Sequence, residues 1–96
     1  MNYELLITET AIFDISEAIE YYKGKAQDLE ERFLDDVENN LDYIAAQPES
    51  FGEKHNGARG KMLKHFPFLI IYRVQKTKNI VEVIRVFNTY QNPYWG

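Results

Sequence analysis

Hydrophobic positions in the first half of the chain follow the spacing of two helices that come after a short strand. Residues 3–8 are rich in strand-forming side chains. Over residues 11–22 apolar side chains return every three or four positions, and Gly24 is a typical helix stop. A second stripe of this kind covers residues 26–46 and ends before Pro48. Because few residues separate the stripes, we expect the two helices to form an antiparallel hairpin.

The second half of the chain has the pattern of strands and turns instead. Three glycines within residues 51–60 indicate a loop. Pro67 marks a bend, and the polar residues 76–79 form the turn of a hairpin. The predicted strands cover residues 61–66, 68–75 and 80–87. We therefore predict one α+β domain over residues 1–96, in the order strand, helix, helix and three strands, with the antiparallel helical hairpin packed on a small, mainly antiparallel β-sheet.

The charged residues are divided unevenly between these two halves. Residues 1–51 hold thirteen acidic and three basic side chains, whereas residues 52–96 hold two acidic and eight basic ones, and the formal net charge is −4. Helices favour Glu and Asp, but this preference does not explain so large a difference within one domain. The basic half of the chain therefore indicates a surface that binds nucleic acid or an acidic protein.

The composition sets limits on the kind of protein. At 45% hydrophobic and 27% charged residues, the chain has the composition of a globular rather than a disordered protein. It contains no cysteine, which excludes disulfides and thiolate catalysis. No apolar run approaches the roughly 20 residues of a membrane span. We expect a cytoplasmic domain without a membrane partner.

Recognised catalytic motifs are missing from the sequence. The two histidines lie ten residues apart without a thiolate, and the segment 57–60 lacks the lysine of a nucleotide-binding loop. Asp35 and Asp36 are neighbours on a predicted helix, where adjacent side chains point apart, so we interpret these carboxylates as a solvated helix face. We predict neither a metal nor a cofactor.

Cleavage of RNA is the reaction that the remaining side chains could serve. It needs a base that activates the ribose hydroxyl and cations that stabilise the charge on the phosphate. Candidate bases are His65, Tyr90 and Glu82, although an ordinary surface position explains His65 and Tyr90 as well, and we favour that interpretation. The candidate cations for the phosphate are Arg59, Lys64 and Arg73.

Basic residues also occur within the predicted strands. In the strand before the bend, period-2 alternation would place Lys61 and His65 on one face and Lys64 on the other. Arg73 and Arg85 lie in apolar strands, where an arginine often covers an edge or pairs with a helix carboxylate. A binding role and a structural role are therefore both open for these two arginines.

Four segments of the chain, in the same order, resemble those of a known family. They are residues 18–22 (AIEYY), 51–59 (FGEKHNGAR), 64–74 (KHFPFLIIYRV) and 86–95 (VFNTYQNPYW). They resemble, in this order, four parts of the RelE/ParE superfamily of type II toxin–antitoxin toxins. These parts are the end of the first helix, the loop with a glycine, a histidine and an arginine, the basic–Phe-Pro-Tyr strand hairpin, and the closing segment. The resemblance is nearest to the ParE-like, plasmid-stabilisation branch and covers almost the whole chain.

Several positions depart from the pattern of that family. Asn88 and Gln91 stand where the family commonly has a histidine and an arginine. The ribosome-dependent RNases of the superfamily carry a catalytic arginine at the position aligned with Leu69, and another basic residue near Thr89. Leu and Thr cannot stabilise the charge of a pentavalent phosphate, and loss of such a donor typically costs on the order of 100-fold or more in rate.

The resemblance therefore implies a bacterial toxin that acts by binding and inhibiting an essential macromolecule, DNA gyrase in ParE-type proteins, rather than an enzyme. It also implies a cognate antitoxin that neutralises the toxin and forms an oligomer with it. The alternatives are a ribosome-dependent mRNA endonuclease with a rearranged site at His65 or Tyr90, and an inactive homologue that binds only its antitoxin. For Trp95, packing in the core is an equal alternative to binding. The residues expected to contact the target or the antitoxin are Arg59, Lys61, Lys64, Arg73, Arg85, Tyr90, Tyr94 and Trp95.

Overall fold

A five-stranded mixed sheet with two helices forms the fold in a computed structural model, which describes residues 2–90 apart from the side chain of His55. The strands are β1 (Glu4–Ile7), β2 (Glu53–His55), β3 (Ala58–Met62), β4 (Phe68–Gln75) and β5 (Ile80–Asn88). Their order in the sheet is β1-β5-β4-β3-β2, with β1 parallel to β5 and the other neighbours antiparallel. The predicted α+β class, with helices packed on a mainly antiparallel sheet, is confirmed.

The two helices are α1 (Glu9–Tyr22) and α2 (Leu29–Ala46). The hydroxyl of Thr8 accepts a hydrogen bond from the backbone N–H of Ala11 (3.1 Å), and this cap starts α1 two residues before the predicted position. Gly24 follows α1 with a φ of 81°, a conformation that glycine adopts without strain. α2 begins three residues later than predicted, after Asp28. Within the described chain, neither helix has the length and apolar character to cross a membrane.

The core lies between the helices and one face of the sheet. Tyr22 of α1 and Phe33 of α2 each contact Phe66 and Phe68, with ring centroids 5.0–6.2 Å apart in edge-to-face arrangements. This aromatic cluster joins both helices to the start of β4. The sheet adds the buried side chains of Ile70, Tyr72, Val81, Val83 and Val86.

The β2–β3 hairpin is the main difference from the predicted elements. Asn56 and Gly57 have φ angles of 51° and 80°, the pair of left-handed residues that a type I′ turn requires, so part of the predicted loop is a hairpin. β3 ends at Met62, before Lys64 and His65, and the predicted strand over 61–66 is therefore wrong for residues 63–66. The physical reason is that Asp36 of α2 accepts the backbone N–H groups of both residues, which removes them from a strand ladder.

Candidate functional site

The face of the sheet that carries no helix has an apolar floor. Alternation along β4 points Ile70 and Tyr72 toward the helices, and Leu69 and Ile71 away from them. Both outward residues are buried, so this side of the sheet forms a second hydrophobic cluster. We call this surface the helix-free face. Its floor consists of Ala58, Leu69, Ile71, Ile84 and Phe87.

Lys54 of β2 lies across the helix-free face. Its side chain passes above Gly60 of β3, where an added Cβ would stand 2.9 Å from Cγ of Lys54 and 3.2 Å from Cδ1 of Leu69. Gly60 therefore leaves the space that the lysine stem occupies. Lys54 was not among the predicted contacts, because a residue in a loop cannot be assigned to a sheet face. The Asn56-Gly57 pair, a strong hairpin signal, could have identified it.

Arg73 of β4 is the second cation on the helix-free face. Its Nη1 donates to the carbonyl oxygen of Asn56 (2.5 Å) and lies over Gly57 at the tip of the β2–β3 hairpin. Glu82, one of the candidate bases, stands opposite Arg73 in the β4–β5 register and so shares its face. Arg73 is exposed to solvent. Of the predicted basic contacts within the strands, the register places Arg73 and Arg85 on this face, with Arg85 opposite Ile71.

Arg59 and Lys61 of β3 point toward the helix layer instead. Arg59 donates from Nη1 to the carbonyl oxygen of Phe51 (2.8 Å), in the segment that joins α2 to β2. The ammonium of Lys61 lies 5.2 Å from the centroid of the Phe51 ring and donates to the carbonyl oxygen of Met62 (3.3 Å). Both cations are half-buried, and both contact the segment before β2.

Arg85 pairs with α1 at the edge of the sheet, beyond the last residue of β1. Ile84 is an extra residue in β5 relative to β4, and this β-bulge places Arg85 opposite Ile71 of the helix-free face. Arg85 then donates from Nε and Nη2 to the carboxylate of Asp14, at 2.7 Å and 3.2 Å. Asp14 also accepts the backbone N–H of Val86 (2.9 Å), beyond the end of β1. Pairing with a helix carboxylate, one of the two predicted roles of Arg85, is confirmed.

Lys64 and His65 have exposed side chains in the loop between β3 and β4. Their backbone N–H groups donate to the carboxylate of Asp36, at 3.2 Å and 2.7 Å. The side chain of Asn40 donates to the same carboxylate (2.9 Å). Asp36 is only 3% exposed, so the interpretation of the α2 carboxylates as a solvated face is wrong for this residue, which is buried because the loop packs on it.

The segment that follows β5 places Tyr90 in solvent. Tyr90 is 84% exposed, and its backbone N–H donates to the side-chain oxygen of Asn88 (2.8 Å). Thr89 donates through its N–H (2.9 Å) and its hydroxyl (3.1 Å) to the carbonyl oxygen of Pro67. The predicted contacts Tyr94 and Trp95 lie outside the described residues.

The described side chains form contacts rather than a proton-transfer pair. Within residues 2–90, no side chain hydrogen-bonds to the imidazole of His65 or to the phenol of Tyr90, although a catalytic base is normally oriented by a partner. Burial raises the pKa of Tyr72 to about 12, and its hydroxyl donates to the carbonyl oxygen of Pro48 (2.5 Å). Tyr72 is thus a structural hydrogen-bond donor. No group of three His, Asp or Glu side chains in the described range could hold a metal ion.

Comparison with known proteins gives one family and a set of similar folds. The family described as ParE toxin of type II toxin–antitoxin system, parDE, matches residues 5–93. The chromosomal ParDE system from P. aeruginosa gives a TM-score of 0.76 at 17% identity, over 90% of this chain and 95% of that chain. The free E. coli toxin RelE, as a double mutant, gives 0.66 at 18% identity, over 93% and 85%. The toxin–antitoxin complex RelBE2 from Mycobacterium tuberculosis gives 0.66 at 19% identity, over 92% and 99%. No curated protein matches.

Proposed function

Because the chain belongs to the ParE toxin family of type II toxin–antitoxin systems, we propose that it stops growth by binding and inhibiting DNA gyrase, without cleaving RNA. A cognate antitoxin neutralises it in a complex of the two proteins. The fold is shared with both ParDE and RelBE toxins, so the choice between inhibition and cleavage depends on the side chains of this chain.

Two neutral residues carry this proposal. They stand where the resemblance implies basic residues in the RNases of the superfamily. Leu69 is 7% exposed and forms part of the apolar floor. Thr89 donates both its N–H and its hydroxyl to the carbonyl oxygen of Pro67, so it anchors the loop between β3 and β4. Neither residue can stabilise charge on a phosphate, a function whose loss costs on the order of 100-fold or more in rate.

The helix-free face is the proposed contact surface for gyrase. Lys54 and Arg73 are exposed and present positive charge on this face, which steers a partner of opposite charge toward it. Tyr90, and outside the described residues Tyr94 and Trp95, supply aromatic contacts. Arg59, Lys61 and Arg85 contact groups within the domain, so their proposed share in target binding is smaller.

A ribosome-dependent mRNA endonuclease is the second candidate, since one observation favours it. His65 and Tyr90 are both exposed and therefore accessible to a bound substrate. In that case the catalytic groups acquire their partners only in the complex with the ribosome. The mutations His65→Ala and Tyr90→Phe would then abolish toxicity, whereas under the gyrase proposal Tyr90→Phe retains most of it.

Induction of the protein alone, with three parallel readouts, tests the proposal. We expect growth arrest, intact transcripts and relaxed plasmids, because inhibited gyrase no longer introduces negative supercoils. Specific cuts in translated mRNA with normal supercoiling would establish the endonuclease instead. Normal growth would identify an inactive homologue that binds only its antitoxin. Co-expression with the protein encoded by an adjacent small reading frame is the matched control, and should restore growth.

A further inference from the structure

The loop between β3 and β4, residues 63–67, is fixed to the domain along its length. Asp36 accepts the backbone N–H groups of Lys64 and His65. The next residue, Phe66, packs its ring on Tyr22 and Phe33 at centroid distances of 5.0 Å and 5.4 Å. The carbonyl oxygen of Pro67 accepts both hydrogen bonds of Thr89. The backbone of the loop therefore has one shape, determined by groups on α1, on α2 and in the segment that follows β5.

Two exposed side chains project from this fixed loop, those of Lys64 and His65. A hollow of about 740 Å³ lies on one side, between α2 and β3, and a hollow of about 460 Å³ lies beside the first half of α2. His65 lines both hollows. The loop is thus a ridge between two concavities, and its crest carries an ammonium group and an imidazole.

The N–H groups of the loop do not require a buried carboxylate such as that of Asp36 as their acceptor. The N–H groups of an exposed loop can be hydrated by water, whereas burial of a carboxylate is costly unless every oxygen is bonded. Asp36 meets this condition only because Lys64, His65 and Asn40 all donate to it. What Asp36 adds is a defined loop conformation.

We propose that Asp36 is a positioning residue, which holds the loop in the shape that presents Lys64 and His65 together to an anionic group on the target. The inference rests on the proposed function, since it assigns part of the toxic contact to this ridge. Asp36 itself does not touch the target. Asp36 acts through the two hydrogen bonds that it accepts from the backbone N–H groups of Lys64 and His65.

A mutational cycle in cells, with purified gyrase as a second readout, tests the inference. The variants are Asp36→Asn, the double variant Lys64→Ala with His65→Ala, and all three changes together. Asn is nearly isosteric but replaces one acceptor oxygen by a donor, and because Lys64 and His65 donate to different oxygens of Asp36, one of their two N–H groups loses its acceptor. Val37→Ala, the neighbouring core position in α2, is the control for lost stability. Growth arrest is measured well below the melting temperature of every variant.

We expect Asp36→Asn and the double variant each to weaken growth arrest by about tenfold, and the triple variant to be no weaker than the double one, because both changes remove the same contact. Val37→Ala should lower the melting temperature without weakening arrest. The inference is overturned if the losses add, if Asp36→Asn arrests growth like the wild type, or if Val37→Ala weakens arrest equally. Growth arrest without inhibition of gyrase would refute the gyrase target, while the cycle in cells would still decide the role of Asp36.

Discussion

The basic side chains on the two faces of the sheet differ in what they contact. Arg59 on the helix-covered side donates to a backbone carbonyl, and Arg85 at the edge of the sheet donates to the carboxylate of Asp14. On the helix-free face, Lys54 lies over Gly60 and Arg73 over the tip of a hairpin, and Arg73 remains exposed. Residues of the same charge in the same sheet therefore either stabilise the domain or are available for binding. The role of each depends on the acceptor within its reach, which is the carbonyl of Phe51 for Arg59 and the carboxylate of Asp14 for Arg85.

Removal of Asp14 should cause the largest loss of stability, because its carboxylate is only 10% exposed and satisfies both Arg85 and the N–H of Val86. Asp14→Ala leaves these donors without that acceptor. Since the Arg85 side chain is 32% exposed, solvent compensates in part, and we expect a loss of about 2–3 kcal/mol. Urea unfolding measures it. Glu17→Ala on the exposed side of α1 is the control, and an equal loss in both variants would refute the special role of Asp14.

Alkaline pH should destabilise the helix-covered side through Tyr72. In the unfolded chain the tyrosine ionises near its ordinary pKa of 10.0, whereas burial raises the pKa of the folded state to about 12. The stabilisation is therefore complete below pH 10 and is lost as the pH rises toward about 12, by on the order of 2–3 kcal/mol. Burial also raises the pKa of Tyr22, which acts in the same direction. Unfolding of Tyr72→Phe across this range should show a shallower decline, and an unchanged slope would contradict the assignment.

A side chain at Gly60 should disturb the helix-free face by a smaller amount. In Gly60→Ala the new Cβ would stand 2.9 Å from Cγ of Lys54 and displace that side chain, at a cost of about 1 kcal/mol. The matched control is the same change in a Lys54→Ala background, where most of the conflict is absent. In melting curves, Gly60→Ala should lower the melting temperature more in the wild-type background than in the Lys54→Ala background. If Gly60→Ala costs as much without the lysine as with it, Lys54 does not occupy the face as described.

Arg73→Ala should have the smallest effect on stability and a large effect on target binding. The side chain is exposed and its described hydrogen bond goes to a turn carbonyl, so the free energy of unfolding should change within about 0.5 kcal/mol. Inhibition of the target should fall by about tenfold if the arginine is a contact. Thermal unfolding and an inhibition assay on the same sample separate the two effects. A marked loss of stability would make Arg73 a structural residue like Arg85.

The helices could be predicted from the sequence because apolar residues recur in each with a helical period, and β4 because its apolar run is nearly continuous. The contacts that position the candidate site could not. Asp14 lies 71 residues from Arg85, and Asp36 lies 29 residues from His65, so no local pattern links them. The bulge at Ile84, which reorients Arg85, leaves no mark in an apolar strand. The β2–β3 hairpin is different, because the sequence Asn56-Gly57 is itself typical of a tight hairpin turn.

We propose that the helix-free face inhibits gyrase by binding it. Supercoiling of relaxed plasmid by purified gyrase, titrated with the purified chain, tests that claim most directly. We expect the wild type and Lys23→Ala, an exposed lysine just after α1, to inhibit at similar concentrations. Combining Lys54→Ala with Arg73→Ala should raise the inhibitory concentration at least about tenfold. Undiminished supercoiling at saturating wild-type protein, or equal inhibition by the double variant, would contradict the account.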